Sequence, residues 1–383
     1  MLYQIRRSWL LTLIINCFFI SAINAQTSVK LTYTSSQYAG IEVGSKGVKL
    51  SIVDIAKNVK TNKSFTIIKD TSVNTDFISF TAPASEATLK GLYSLYQVAV
   101  ENYNIPSANI YTVISSGVKV QAEKEEKNEF IRKLVESFKE KINDEKRKVD
   151  VIDPAQEARL SHLGIVPDSK RYSTFLVDIG SGNTKGGFFP NGNTTDFKLF
   201  QLTWGTKSMA NAAEKKMDES DKTIANYAKQ LQRVLSMAEN SEIIYAVNSS
   251  GAYALSDNIA FSGGIAWSVA TLIHPEMSDR SIVPVTFDEV KDFNDRLYTA
   301  FNSFMPDLLI RKLKNTDPQR PAASKEIKRV LQVFDQKSLM AGTGLLLKMM
   351  RQFSSVYETK QFYLVKNGQV GWISAYVDQS TSR

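Results

Sequence analysis

Asp178-Ile179-Gly180-Ser181-Gly182-Asn183-Thr184-Lys185-Gly186-Gly187 is the stretch that decides the fold of this chain. It follows Tyr172-Ser173-Thr174-Phe175-Leu176-Val177, an apolar run short enough to be a buried strand. It leads into Phe188-Phe189-Pro190 and then Asn191-Gly192, a hairpin turn signal. The loop therefore lies between two adjacent strands, with an acid at the end of the first. Glycines let backbone approach a phosphate closely, and small polar side chains add donors. The acid is placed to hold a metal ion on the same phosphate. Taken alone, the stretch reads as a phosphate loop only modestly ahead of an ordinary glycine-rich hairpin.

A second copy of the plan lies about 135 positions earlier, in Tyr38-Ala39-Gly40-Ile41-Glu42-Val43-Gly44-Ser45-Lys46-Gly47-Val48-Lys49-Leu50-Ser51-Ile52-Val53-Asp54. Again an apolar strand ends in an acid, Gly-Ser follows, and a second alternating strand begins. The repeat predicts an internal duplication with one phosphate loop in each half. Such a pattern resembles the acetate kinase, hexokinase and actin superfamily. Within it the order of motifs is most similar to the exopolyphosphatase and guanosine pentaphosphate phosphatase (Ppx/GppA) family. The resemblance spans roughly Tyr38 to Ile373 and implies an α/β, duplicated RNase H-like (actin-like ATPase) fold. Its halves would cover residues 38–163 and 172–375, with the site in the cleft between them.

Residues 1–25 carry Arg6 and Arg7, an apolar run from Trp9 to Ile20, and Ser21-Ala22-Ile23-Asn24-Ala25. That is the layout of a secretory signal peptide, so a periplasmic or secreted protein is expected. Cleavage is expected after Ala25, although Ile23 is larger than the residue usual at that place. The apolar run is short for a membrane span. Cys17 is the only cysteine and lies inside it, so the mature chain has no disulfide or thiol chemistry. Losing Arg6 and Arg7 and no acid lowers the formal charge from +8 to +6, which suits a polyanion without requiring one. Aromatic residues do not interleave with basic runs, so no nucleic-acid module is expected. With His162 and His274 alone, a histidine zinc site or a serine–histidine triad is improbable.

Strands are expected at Val48–Ile55, Ser64–Lys69, Phe77–Phe80, Ile110–Ser115 and Val149–Ile152. A helix is expected at Ala84–Tyr103, and an amphipathic one within the charged stretch Lys119–Lys148. In the second half Phe197–Leu202 and Ile243–Val247 read as strands, with a long helical region between them to about Ala238. Asp335–Phe353 reads as a helix with a small-residue face, Pro318–Pro321 as a loop, and Phe362–Ile373 as a hairpin around Asn367-Gly368.

Asp153-Pro154-Ala155-Gln156-Glu157-Ala158-Arg159 reads as a capped helix start, with Pro154 in its first turn. From the residues alone Glu157 is either a dipole partner or a catalyst. The resemblance assigns it: Ppx/GppA proteins carry Glu-Glu-Ala-Arg here, and the second glutamate is taken as the base that activates water. Residues expected on phosphate are Gly44, Ser45, Lys46, Gly180, Ser181, Gly182, Asn183, Lys185, Gly263 and Gly264, the last two in a strand–helix turn. Asp178 and Glu42 are expected on Mg2+. Four sites, one of them a residue pair, depart from the family pattern. Glu42 stands for aspartate, Lys46-Gly47 for Asn-Ser, Gln156 for an acid, and Lys185 for a glutamate.

The expected function is an exported phosphoanhydride hydrolase releasing terminal phosphate from polyphosphate or a related chain. Alternatives are a non-catalytic member that binds polyphosphate or nucleotide, and a secreted nucleoside-triphosphate hydrolase of apyrase type. Expected partners are a polyphosphate or nucleotide phosphate chain, with a homodimer as one assembly to consider. No membrane partner is expected after signal cleavage.

Overall fold

The computed structural model describes residues 35–45, 47–56, 64–252, 256–314, 318–354 and 359–381. Two sheets form, one from each copy of the repeated pattern. In the first, β1 (Ser35–Val43), β2 (Gly47–Ala56), β3 (Ser64–Asn74), β4 (Ile110–Ile114) and β5 (Val149–Val151) take the order β3-β2-β1-β4-β5. There β4 runs parallel to both β1 and β5. The second sheet comprises β6 (Thr174–Ile179), β7 (Thr184–Phe188), β8 (Lys198–Leu202), β9 (Asn258–Ser262), β10 (Ile282–Val285) and β11 (Gln361–Val365). Its order is β8-β7-β6-β9-β11-β10, with β9 parallel to β6 and β11. Read with β6 for β1, β9 for β4 and β11 for β5, the second sheet repeats the first, and β10 is added antiparallel at its edge. The fold is α/β and duplicated.

Several apolar runs expected as strands are helical. Phe77–Ser79 is a single 3-10 turn after β3. Phe77 and Phe80, three apart, both bury their rings, edge to face at 5.9 Å. Thr81 then caps α1 (Ala82–Gln97) with its side chain. The charged stretch Lys119–Lys148 holds two helices, α2 (Ser116–Lys124) and α3 (Asn128–Lys141), broken where Glu126 turns to φ +58°. Ile131, Leu134 and Phe138 form the buried stripe of α3.

After α4 (Pro154–Ile165), α5 (Thr206–Glu214) and α6 (Ile224–Ala238), the expected strand at 243–247 is instead a π-turn leading into α7 (Ile244–Ser249). Ile243 and Val247, four apart, are buried while Tyr245 is 77 % exposed, which is helical spacing. Following α8 (Gly264–Ile273) and α9 (Phe287–Thr299), Pro321 opens α10 (Arg320–Val333) rather than belonging to a loop. Asp335 caps α11 (Gln336–Phe353) as expected. The expected terminal hairpin is β11 followed by α12 (Gly368–Thr381). Trp372, Ile373, Tyr376 and Val377 are buried at spacings of one, three and four, so one helical face is apolar.

Each sheet has its own core. Ile41, Leu50, Phe77 and Phe138 centre the first, and Phe175, Phe261, Phe293 and Phe353 the second. A third cluster joins Trp372, Ile373 and Tyr376 of α12 to Val113, Ile152 and Leu160 of the first half. There α12 crosses α4 closely: a Cβ on Gly164 would stand 1.9 Å from the Gly371 carbonyl. Helices α2, α4, α5 and α8 each start just beyond a strand, on the side where open α/β sheets gather ligands.

Candidate functional site

The loops between β1 and β2 and between β6 and β7 are the same turn. The Gly44 N–H donates to the Gly47 carbonyl at 2.9 Å, and the Gly180 N–H to the Asn183 carbonyl at 2.9 Å. In each half an acid precedes the turn by two residues, Glu42 and Asp178. The second turn is buttressed by the start of α5, whose Thr206 N–H donates to the Gly180 carbonyl at 3.0 Å and Lys207 N–H to the Ser181 carbonyl at 2.8 Å. Gly205 makes this approach feasible, since a Cβ there would stand 2.6 Å from both the Asn183 nitrogen and the Gly180 oxygen. Ser181 and Gly182 form the exposed tip, and a Cβ on Gly182 would meet nothing. Of the expected phosphate-binding residues, Lys46 lies outside the described residues.

Glu157 and Lys185 meet across the two halves. Lys185 Nζ lies 2.6 Å from Glu157 Oε1, and the Ser116 N–H donates to Glu157 Oε2 at 2.7 Å. Both side chains are below 10 % exposed. Burial, the strongest single influence, pushes the Glu157 carboxyl up. Lys185 and the Ser116 hydrogen bonds outweigh it and hold the group below the usual carboxylate range. Burial likewise pulls the Lys185 ammonium down, while Glu157, Asp178 and Glu42 together raise it above its ordinary value. The pair is therefore ionised. Glu157 does not cap its own helix: Asp153 does that, accepting the Gln156 N–H at 2.7 Å.

Asp178 lies opposite Lys185 in the β6–β7 pair and opposite Ser262 in the β6–β9 pair. Its Oδ1 accepts the Ser262 hydroxyl at 2.8 Å. Glu42 is buried and pairs with Lys49 at 3.5 Å. Burial holds its carboxyl above the usual range against the pull of Lys49, and the nearby Glu157 charge adds to the rise. Glu42 lies over its own turn, with Oε1 3.2 Å from where a Gly44 Cβ would stand. The five charges of Glu42, Lys49, Glu157, Asp178 and Lys185 thus form one cluster.

Gly263 and Gly264, expected on phosphate, stand where β9 turns into α8. Gly263 has φ +95°, and a Cβ there would stand 2.2 Å from the Ile179 carbonyl, so only glycine lets β9 turn into α8 against β6. Gly264 faces the Phe334 ring, 3.0 Å from a would-be Cβ.

Among the described residues no three Asp, Glu, His or Cys side chains converge as a metal cage. Magnesium does not require one, since one or two carboxylates serve when phosphate and water supply the remaining ligands. Asp178, with one oxygen oriented by Ser262, suits that use, whereas Glu42 is engaged by Lys49. Lys49, Ser116, Ser262 and Gly205 are site residues that sequence reasoning missed. Ser116, the first residue of α2, was legible only as part of the Ser115-Ser116-Gly117 stretch that ends the preceding strand. Lys49 was legible by counting, because it follows Gly44 by as many residues as Lys185 follows Gly180.

No protein-family model matches the chain, and no curated protein matches it in sequence. Solved structures do. A Ppx/GppA family member from Aquifex aeolicus superposes with a TM-score of 0.61 at 18 % identity, covering 91 % of this chain and 98 % of its own. The chain has the fold of the Ppx/GppA structures. A type II variant of the Aquifex Ppx/GppA phosphatase gives 0.57 at 18 % identity, over 88 % of this chain and 99 % of the other. An exopolyphosphatase from Cytophaga hutchinsonii gives 0.54 at 14 % identity, over 90 % and 98 %. At these identities the likeness is one of fold.

Proposed function

We propose that the chain is a phosphoanhydride hydrolase of Ppx/GppA type, exported, that releases terminal phosphate from polyphosphate or a related phosphate chain. The observation that carries this reading is the buried Glu157–Lys185 pair, set beside Asp178 between the two glycine turns. Phosphoryl transfer is mostly positioning and charge neutralisation, and this cluster offers both. Lys185 gives the phosphate a buried cation, the turns give it close backbone, and Asp178 a place for Mg2+. Bound Mg2+ would neutralise the phosphate oxygens and polarise the bond to be broken.

In the free protein Lys185 and Ser116 occupy both carboxylate oxygens of Glu157. A phosphate drawing Lys185 toward itself would loosen that hold and leave Glu157, in its buried surroundings, a stronger base for the attacking water. The base and the anchor are therefore coupled: the same lysine that restrains Glu157 in the empty site is the one the substrate claims.

A second reading is favoured by one observation. A carboxylate held below its usual range, with both oxygens engaged, is a weak base if Lys185 stays in place. The chain would then bind phosphate chains without cleaving them. Phosphate release from pure protein, with polyphosphate, ATP and GTP offered separately in Mg2+ and in EDTA, separates these readings. Release from polyphosphate supports the hydrolase. Release from the nucleotides alone supports an apyrase-type activity, and tight binding without release supports the binding protein.

A further inference from the structure

In the free protein Glu157 is held from two directions, by Lys185 of the second half and by the Ser116 N–H of the first. In the proposed reaction substrate claims Lys185, so one hold is lost just when the carboxylate must be aimed. Something other than Lys185 must then keep the start of α4 in place against the second half.

Arg159 follows Glu157 by two residues, about 3 Å along the helix axis and about 200° round it, so it leaves α4 on the side away from the carboxylate. Its Nε and Nη2 both donate to the Thr194 carbonyl, at 3.2 and 2.9 Å. Thr194 lies in the loop between β7 and β8, and β7 is the strand that carries Lys185. One hairpin of the second half thus grips α4 twice, through Lys185 from its strand and through Thr194 from its loop. Farther along α4, His162 Nε2 bonds the Thr174 carbonyl at 2.9 Å, which fixes the later turns. Arg159 is the tie between that fixed part and the turn bearing Glu157.

The loop is braced as a firm anchor. Asn193 Oδ1 accepts the Thr195 N–H at 3.0 Å, the Thr195 hydroxyl at 2.6 Å and the Asp196 N–H at 3.2 Å. Asn191 Nδ2 donates to Asp196 Oδ2 at 2.8 Å. The guanidinium, for its part, is partly buried, and burial pulls its pKa below the ordinary arginine value without an opposing carboxylate. A charge kept in that setting serves geometry: the planar fork puts two donors on one oxygen, which fixes direction as well as distance.

We propose that Arg159 is a positioning residue that pins the first turns of α4 to the β7–β8 loop, so that Glu157 stays aimed at the attacking water after a phosphate chain has drawn Lys185 away. This rests on the reading of Glu157 as the base. Lys185 then serves the substrate, and Arg159 serves the helix.

Two measurements test this. The first is steady-state hydrolysis of polyphosphate in Mg2+. Arg159→Leu should lower kcat by about 10- to 100-fold with KM and tripolyphosphate affinity nearly kept, because a displacement of about 1 Å at a reacting group costs up to about 100-fold. Added to Glu157→Gln, the same substitution should cost little more, since a residue that acts through the base has nothing left to act on. A wild-type rate in folded Arg159→Leu, a loss that falls on affinity, or a full further loss on top of Glu157→Gln overturns the inference and leaves the proposed function standing. Arg159→Lys keeps the charge and loses the fork, and takes the same tests if Arg159→Leu does not fold.

The second does not depend on turnover. Under saturating tripolyphosphate, amide hydrogen exchange in the first turns of α4 should stay slow in wild type and become faster in Arg159→Leu. Equal protection in the two bound proteins overturns the inference. Wild type that neither binds nor hydrolyses any phosphate chain overturns both the inference and the proposed function.

Discussion

Removing one partner of the Glu157–Lys185 pair should destabilise the protein far more than removing both. The two groups are held at 2.6 Å and each side chain is below 10 % exposed, so neither can regain water when the other is lost. Breaking a buried pair of this kind costs about 3–5 kcal/mol, because it strands an uncompensated charge. Replacing both partners with apolar side chains of similar volume is about neutral or stabilising. Glu157→Leu should suffer most, since Lys185 is then left with Asp178 and Glu42 as its only opposing charges in the cluster. Lys185→Met should cost somewhat less, because the Ser116 N–H still donates to Glu157. Glu157→Leu/Lys185→Met should recover most of either loss. Urea unfolding of the four proteins gives the coupling directly. Single-variant losses under about 1 kcal/mol, the range of solvent-exposed pairs, would refute the argument that this pair is sealed from water.

Three further predictions follow from neighbouring groups. In EDTA, Asp178→Asn should bind tripolyphosphate as tightly as wild type or tighter, because a repelling charge is gone, yet should lose most of the gain that Mg2+ gives wild type; an unchanged Mg2+ gain in calorimetry removes Asp178 from the metal site. His162 is buried, and burial pushes its imidazole down to about 4 from 6.5. Its contribution is therefore fully present above pH 6.5 and lost as pH falls toward 4, by up to about 3 kcal/mol. His162→Gln should flatten that part of the unfolding profile, and an unchanged slope assigns the acid sensitivity elsewhere. Protein recovered from outside the cytoplasm should begin at or near Gln26 by terminal sequencing, and an intact Met1 there would contradict export.

The duplication was legible because its signal is repeated. Two copies of strand, acid and glycine turn constrain one another, and Phe175, Leu176 and Val177, like Val48, Leu50 and Ile52, are buried as their patterns require. Three of the errors concern short apolar runs, in which a buried strand and a buried helical turn have the same composition. Phe77–Phe80, Ile243–Val247 and Val370–Ile373 were all of this kind, and what they pack against settles their form. Asn367-Gly368 has strong hairpin chemistry, but the burial of Trp372, Ile373, Tyr376 and Val377 against the first half overrides it. In the site, Asp178 and Glu157 stand out because each ends a strand or opens a helix. Ser116 and Ser262 are contacts across the sheet and between halves, which no local pattern announces. Gly263 is required by its positive φ and by the Ile179 carbonyl beside it, a constraint that comes from a neighbouring strand.

In the proposed mechanism Glu157 activates water once substrate engages Lys185. Glu157→Gln keeps the shape of the side chain and removes its ability to take a proton. Turnover of polyphosphate in Mg2+ should fall by about 10²–10⁴ relative to wild type, with affinity for the chain nearly kept, when both proteins are assayed below their melting temperatures. Hydrolysis by Glu157→Gln at the wild-type rate, or no phosphate release by wild type from any phosphate chain, would contradict the account.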